Sequence, residues 1–86
     1  MEPGDASVTR RRRLTALAGH RGEAGTARAA LSDTSPSVRA TALGALSRLG
    51  VLTGDDLRAA LADPSPAVRR RGCELCLLYT SPSPRD

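Results

Sequence analysis

Aromatic side chains are almost absent from this sequence. They make up 1% of its 86 residues, with a single Tyr and no Phe or Trp. Aromatic residues bury large areas and dominate the energetics of most cores. The apolar residues here are mainly Ala, Leu and Val, and this composition favours thin helices packed closely side by side over one round core.

Lysine, asparagine and isoleucine are missing as well, so all 13 Lys or Arg residues are Arg. Together with the missing Phe, these are residues encoded by AT-rich codons, and their absence indicates a GC-rich genome, which we expect to be bacterial. The formal net charge of +4 therefore partly reflects coding bias. A basic balance still favours acidic partners.

Long apolar runs are also lacking, and no segment approaches the length needed to span a membrane. The run Arg10, Arg11, Arg12, Arg13 followed by Leu14 superficially resembles a twin-arginine export signal. The apolar stretch after it ends at Gly19, which is too short for the hydrophobic region of a signal peptide. We therefore expect a cytoplasmic protein.

An internal repeat is the main positive signal. Residues 26–39 read TARAALSDTSPSVR and residues 56–69 read DLRAALADPSPAVR, so nine of fourteen positions are identical at a spacing of thirty. Because composition alone gives one or two identities, the spacing predicts a repeating unit of about thirty residues.

The repeating unit reads as a helix, a tight turn and a second helix. Ser35 and Ser65 are predicted N-caps, each followed by a proline at the first helical position. After the second helix of the first unit, Gly50 fits the left-handed position that ends a helix, and Thr53 is placed to cap the next. We predict helices near residues 7–19, 24–32, 36–49, 54–62 and 66–75, after a disordered N-terminus at 1–6.

The segment D-x-S-P-x-V-R, preceded by an A-A-L helix and followed by an amphipathic helix, resembles bacterial HEAT-like repeats. These include the short version named after the phycobilisome bilin lyases. The resemblance covers about residues 23–75. It implies an all-α fold, in which antiparallel helix pairs stack as a right-handed α-solenoid and the second helices line a concave face.

The first predicted helix departs from this pattern, because it lacks the Ser-Pro turn. Its register is ambiguous by one residue. Leu14 and Leu17 match Leu43 and Leu46 at a spacing of 29, whereas Val8 matches Val38 at 30.

Four charged residues recur with the repeat, namely Asp33, Arg39, Asp63 and Arg69. The family resemblance implies a structural ladder, in which the aspartates satisfy turn amides and the pairs join adjacent repeats. Recurrence at the repeat period is what such stacking needs, because each repeat contacts only its neighbours. The alternative is that Arg39 and Arg69 bind anions.

Two arginine clusters are candidate binding surfaces, one at Arg10, Arg11, Arg12 and Arg13, the other at Arg70 and Arg71 beside Arg69. Four consecutive helical residues sweep most of the helix circumference. A polar helix capping the repeat array explains the first cluster. A patch for nucleic acid or an acidic protein is the alternative, although no aromatic residue accompanies it for base stacking.

Catalytic and metal-binding patterns are weak. His20 is the only histidine, and it lies in a glycine-rich connection without the further ligands of a metal site. Cys73 and Cys76 form C-x-x-C, but Cys73 aligns with the core position Leu43 and is expected to be buried. We therefore predict no enzymatic activity, no cofactor and no metal.

Residues 76–86 read CLLYTSPSPRD. This string is similar to one translated frame of a transposase-type sequencing adapter, without a mismatch. The similarity implies a non-native tail that is excluded from the fold, and it makes the C-x-x-C pattern spurious. We expect that residues 7–75 are a partial repeat array and that the natural chain continues beyond Leu75.

The sequence as a whole favours a scaffold that binds a protein partner through the concave face of its repeats. Two alternatives remain open. One is binding of nucleic acid through the arginine-rich helices, and the other is an accessory role related to the bilin lyases.

Overall fold

The computed structural model describes residues 3–79, with side chains for residues 6–78. Every regular element within this range is helical, as predicted. The elements are α1 (Pro3–Arg21), α2 (Ala24–Ala29), a short 3₁₀ turn (Ala30–Ser32), α3 (Pro36–Leu49), α4 (Gly54–Leu61) and α5 (Pro66–Tyr79).

The first helix is longer than predicted. It begins at Pro3 instead of residue 7, so the expected disorder at residues 1–6 is wrong from residue 3 onward, and residues 1 and 2 lie outside the described range. Proline is tolerated at a helix start because it has no N–H to satisfy there. At the other end, α1 continues to Arg21, and Gly22 stops it with a φ of 76°.

The last helix also exceeds its predicted end at residue 75 and runs to Tyr79. Leu77 and Leu78 are good helix formers, and the first proline of this segment comes only at Pro82. The first four residues of the predicted non-native tail, 76–79, are therefore helical. The remaining seven, 80–86, lie outside the described residues.

The turn between α3 and α4 is built as the sequence predicts. Gly50 adopts the left-handed conformation with a φ of 75° and ends α3. Thr53 caps α4 through its side chain, which accepts a hydrogen bond from the Asp56 N–H at 3.1 Å, while the Asp56 carboxylate accepts one from the Thr53 N–H at 2.9 Å. Two orphan amides are thus satisfied reciprocally.

Ser35 occupies the N-cap position of α3, but its hydroxyl makes no capping hydrogen bond. The Asp33 carboxylate instead accepts a hydrogen bond from the Ser35 N–H at 2.8 Å, and Asp63 does the same for Ser65 at 2.8 Å. The aspartates of the repeat therefore hold these turns.

The register of α1 differs from both predicted alternatives. The turns after α1 and α3 are equivalent, because the Glu23 N–H donates to the Ala18 carbonyl at 2.9 Å and the Val51 N–H donates to the Leu46 carbonyl at 3.1 Å. Equivalent residues of α1 and α3 are therefore 28 residues apart. The predicted spacings of 29 and 30 are wrong, because they do not align Gly22 with Gly50, the glycines that end the two helices.

The side chains of α1 agree with this spacing. Leu14 and Leu17 are 53% and 38% exposed, whereas Thr15 and Ala18 are buried. The Thr15 hydroxyl is satisfied by the Arg11 carbonyl at 2.8 Å. A buried polar residue and a small one therefore occupy the positions that Leu43 and Leu46 occupy in α3.

Helix α3 lies between α1 and α5, while α2 packs against α1 and α3, and α4 packs against α5. The predicted apolar stripe of α3 is almost fully buried, through Val38, Ala42, Leu43, Ala45 and Leu46. The molecule measures 54 × 28 × 17 Å. It is an elongated, thin body, and the three helices α1, α3 and α5 form one broad face.

Candidate functional site

A bidentate ion pair joins the two repeating units. Arg39 donates from Nε and Nη2 to the two carboxylate oxygens of Asp63, each at 2.9 Å, and from Nη1 to the Asp33 carbonyl at 2.8 Å. Both side chains are largely shielded from solvent. This planar fork is the geometry in which Arg–carboxylate pairs are strongest.

A second pair of the same form involves Arg11, which belongs to the first arginine cluster predicted as a candidate binding surface. Its Nε and Nη2 donate to the two carboxylate oxygens of Asp33, at 2.8 and 3.1 Å. Arg11 is therefore engaged between α1 and the first repeat. The 28-residue spacing, which aligns Arg11 with Arg39, is the signal that identifies it.

Both aspartates are more acidic than usual. The Arg11 guanidinium, helped by the Ser35 N–H, lowers the pKa of the Asp33 carboxyl below its ordinary value. The hydrogen bonds from Arg39 lower the pKa of Asp63 in the same way, against an opposing effect of burial. Both carboxylates are ionised at neutral pH, so the pairs stay charged.

Arg69, the fourth predicted ladder residue, is placed differently. Its Nη1 donates to the Asp63 carbonyl at 2.8 Å, as Arg39 does to Asp33. Among the described residues, no carboxylate pairs with the rest of its guanidinium. The two aspartates thus each receive one arginine fork, and Arg69 presents a third fork at the surface of α5.

Arginines on the face formed by α2 and α4 are neutralised. Arg28 donates to the Asp56 carboxylate at 2.9 Å and to the Val51 carbonyl at 3.0 Å. Arg58 forms an ion pair with Asp55 one turn away. This face therefore offers little net positive charge to an anionic partner.

The opposite face, formed by α1, α3 and α5, carries a groove. Two adjoining depressions of about 290 and 170 Å³ share Ala16 and Thr41. Small residues, including Gly44 and Ala45, form its floor. Its walls are polar and basic, with Arg12, Arg13, His20, Arg48 and Arg71.

Most of these wall arginines have no acidic neighbour. Within the described residues, carboxylates pair with Arg11, Arg28, Arg39, Arg58 and Arg71. The arginines left without one are Arg10, Arg12, Arg13, Arg21, Arg48, Arg69 and Arg70. Uncompensated positive charge is thus concentrated on the grooved side and at α5.

Gly44 shapes the centre of this groove. A Cβ at this position would lie 2.9 Å from Nη2 of Arg71, so the missing side chain lets Arg71 lie across α3. Arg71 also reaches the Glu74 carboxylate at 3.4 Å. The arginine cluster in the sequence indicated Arg71 but not Gly44 or Arg48, whose spacing of four residues places them on one side of α3.

Cys73 is exposed, so its expected burial is wrong. Its counterpart Leu43 is covered by α5, whereas no described element covers the corresponding side of α5. His20 lines the groove rather than standing alone in a loop. Across residues 6–78, no three side chains of His, Cys, Asp or Glu are grouped as a metal ion would require.

Of the helices described, none combines the length and apolarity that crossing a bilayer requires. No family model matches the chain, no curated protein is significantly similar to it, and no solved structure is significantly similar to it.

Proposed function

We propose that this protein is a non-enzymatic repeat scaffold of the HEAT-like type, and that it binds a protein partner through the groove on the face of α1, α3 and α5. Three of the four arginines that line the groove, Arg12, Arg13 and Arg48, have no carboxylate partner among the described residues, whereas the arginines of the opposite face are paired. This asymmetry carries the proposal. The partner segment is acidic, because carboxylates complement guanidinium groups in charge and geometry.

The repeat geometry supports the scaffold part of the proposal. The bidentate Arg39–Asp63 pair and the buried stripe of α3 fix one unit against the next. Units held in this way stack into an α-solenoid, whose extended surface suits binding rather than catalysis. The small floor residues leave room for a bound chain beside α3.

The test is a binding titration with a poly-glutamate peptide, followed by anisotropy at low and moderate salt. We expect Arg48→Glu to weaken binding by about tenfold or more, because it converts an attraction into a repulsion. Arg21→Glu is the matched control, since it makes the same charge change outside the groove lining. Equal losses in both variants would mean that only net charge matters, and the groove proposal would be abandoned.

Nucleic-acid binding is the second candidate, and the uncompensated arginines at Arg10, Arg12 and Arg13 favour it. Residues 6–78 include no Phe, Tyr or Trp side chain, so stacking of bases on such rings does not contribute. Binding would rest on phosphate contacts, and the logarithm of the affinity for duplex DNA would fall linearly with the logarithm of salt concentration. Tight DNA binding with clear sequence preference would contradict this account, and DNA binding stronger than peptide binding would favour this candidate over the first.

A further inference from the structure

Three basic side chains line one depression of the groove, and each comes from a different helix. His20 lies on α1, Arg48 on α3 and Arg71 on α5, around a space of about 170 Å³ with a floor of small residues. All three side chains are exposed. Because further repeats would stack beyond α1 or α5, this depression in the middle of the face is open to a ligand whatever the length of the array.

The missing side chain of Gly44 allows Arg71 to reach the depression. A Cβ at Gly44 would lie 2.9 Å from Nη2 of Arg71, so the guanidinium lies directly against α3. Arg48 follows Gly44 by four residues, which places it one helical turn further along the same side of α3. One guanidinium that belongs to α3 and one that lies across it therefore line the same space.

The protein's own carboxylates show how much one arginine satisfies. Asp33 and Asp63 each accept the two donors of a single arginine fork and one turn N–H. At the depression, two arginines and an imidazole line one space. Among the described residues, the carboxylate paired there is that of Glu74, which lies 3.4 Å from Arg71 in a half-exposed contact. This distance is long for a charged hydrogen bond, so a stronger acceptor can replace Glu74.

We propose that the depression lined by His20, Arg48 and Arg71, which we call the phosphate pocket, binds a phosphorylated serine or threonine of the acidic partner segment. The inference rests on the proposed function and names the residue that the groove recognises. A phosphomonoester carries about −1.5 to −2 charges at neutral pH and three acceptor oxygens, which can receive both guanidinium groups and the imidazole N–H. A carboxylate has two oxygens and one charge, and a single arginine fork satisfies it.

The groove favours a phosphorylated protein segment over a nucleic acid. A phosphodiester has two free oxygens and one negative charge, so it matches the phosphate pocket no better than a carboxylate does. The second depression, lined by Arg12 and Arg13, adjoins the pocket. From Arg13 to His20, α1 rises by about 10 Å, which is the length of about three residues of an extended chain. Acidic residues about three positions from the phosphorylated one therefore lie beside Arg12 and Arg13.

The test compares the binding of two labelled peptides to the full-length chain by anisotropy. One is a poly-glutamate peptide with a phosphoserine at its centre, and the other has two glutamates in place of the phosphoserine. At about pH 8 the phosphoserine carries nearly two charges, so the two peptides are matched in net charge. We expect the phosphopeptide to bind about tenfold or more tightly, because its three oxygens receive charge-assisted hydrogen bonds from both arginines.

Substitutions in the phosphate pocket should remove this preference. Arg48→Ala and Arg71→Ala should each reduce it to about threefold or less, whereas the control Arg21→Ala, outside the groove lining, should leave it unchanged. Gly44→Ala tests the position of Arg71 separately, since the added methyl group displaces the end of that flexible side chain. The preference should fall without a loss in melting temperature, because alanine is the better helix former.

Two competitors identify the source of the phosphate. Inorganic phosphate and a single-stranded oligonucleotide without a terminal phosphate should each displace the phosphopeptide only at concentrations about tenfold or more above that of the unlabelled phosphopeptide. Equal competition by inorganic phosphate would make the ligand a free anion. Stronger competition by the oligonucleotide would make it a nucleic acid, and either result would overturn the inference.

Equal affinity for the two peptides would also overturn it, as would a preference that survives Arg48→Ala, Arg71→Ala and Gly44→Ala. The proposed function is judged separately, by the effect of Arg48→Glu on the peptide without phosphate. If that peptide binds the groove as well as the phosphopeptide does, only the phosphate pocket is wrong. If neither peptide binds, the proposed function fails together with the inference.

Discussion

At the scale of single residues, the two equivalent arginines Arg39 and Arg69 differ mainly in whether a carboxylate faces them. Arg39 is held by both oxygens of Asp63 with little exposure of either side chain, whereas Arg69, among the described residues, binds only a backbone carbonyl. The two arginines occupy equivalent positions of the repeat, but among the described residues only Arg39 has a carboxylate beside it. Arg39 therefore joins two repeats, whereas Arg69 does not.

Arg39→Ala should therefore lower the free energy of unfolding by about 1–2 kcal/mol, because it leaves the Asp63 carboxylate without its charged donors. Arg69→Ala is the matched control and should cost less than about 0.5 kcal/mol, as exposed substitutions usually do. Urea unfolding followed by circular dichroism measures both values. If the two losses are equal, the inter-repeat pair is not a stabilising contact.

The same pair predicts a response to acid. Because Arg39 lowers the pKa of Asp63 in the folded chain, the stability from this carboxylate is fully present above its unfolded pKa of about 4 and is lost as the pH falls through the lower folded value. Asp63→Asn should be less stable at neutral pH and should lose less stability between pH 5 and pH 2. Urea titrations at several pH values test this, and parallel pH profiles for the two proteins would contradict it.

At the scale of helices, close approach depends on glycine. A Cβ on Gly72 would lie 2.8 Å from the Cβ of Ala60, so the α4–α5 contact leaves no room for a methyl group. We expect Gly72→Ala to destabilise the protein by about 1–3 kcal/mol through overpacking.

Gly25 provides the control, since a Cβ added to this residue of α2 would meet no other atom within 4 Å. Gly25→Ala should be neutral or stabilise the fold by up to about 1 kcal/mol, because alanine is the better helix former. Thermal melts of both variants measure the two changes in stability. A stabilising Gly72→Ala would show that α5 moves freely away from α4.

Helix positions could be predicted from the sequence wherever a turn signal was strong. Ser-Pro, Gly50 and Thr53 place α3 and α4 to within a residue. The register of α1 could not be read from its leucines, because Leu14 and Leu17 point to solvent and the buried positions are Thr15 and Ala18. Hydrophobic matching fails there, and the glycine turn is the better guide.

The groove could not be predicted from sequence for a related reason. Its floor consists of small residues that carry no chemical signal, and its walls come from three helices that are distant in sequence. Arginine clusters indicated where positive charge lies. Only the folded structure shows which arginines lack a carboxylate and which, like Arg11, already have one.

At the scale of the whole molecule, the core is thin and built from small side chains. The largest fully buried residues are Leu43, Leu46, Val38 and Val68. Meanwhile Leu61, Leu77 and Leu78 remain substantially exposed. Burying one such side chain is worth about 1.5–3 kcal/mol, which is a large share of the roughly 5–15 kcal/mol that stabilises an ordinary domain.

We therefore expect marginal stability together with self-association at high concentration. Leu77 and Leu78 are 67% and 69% exposed near the end of α5, where they form an apolar site that association would shield from water. Replacing both with Ser should reduce the light-scattering mass at high concentration toward that of a monomer, while the melting temperature stays within a few degrees because neither residue belongs to the core. Leu46→Ser, within the buried stripe of α3, is the contrasting variant and should abolish cooperative unfolding. A wild-type chain that stays monomeric at all concentrations and melts sharply above about 65 °C, the top of the usual range for mesophilic domains, would show that the thin core is sufficient and that the exposed leucines cost the fold nothing.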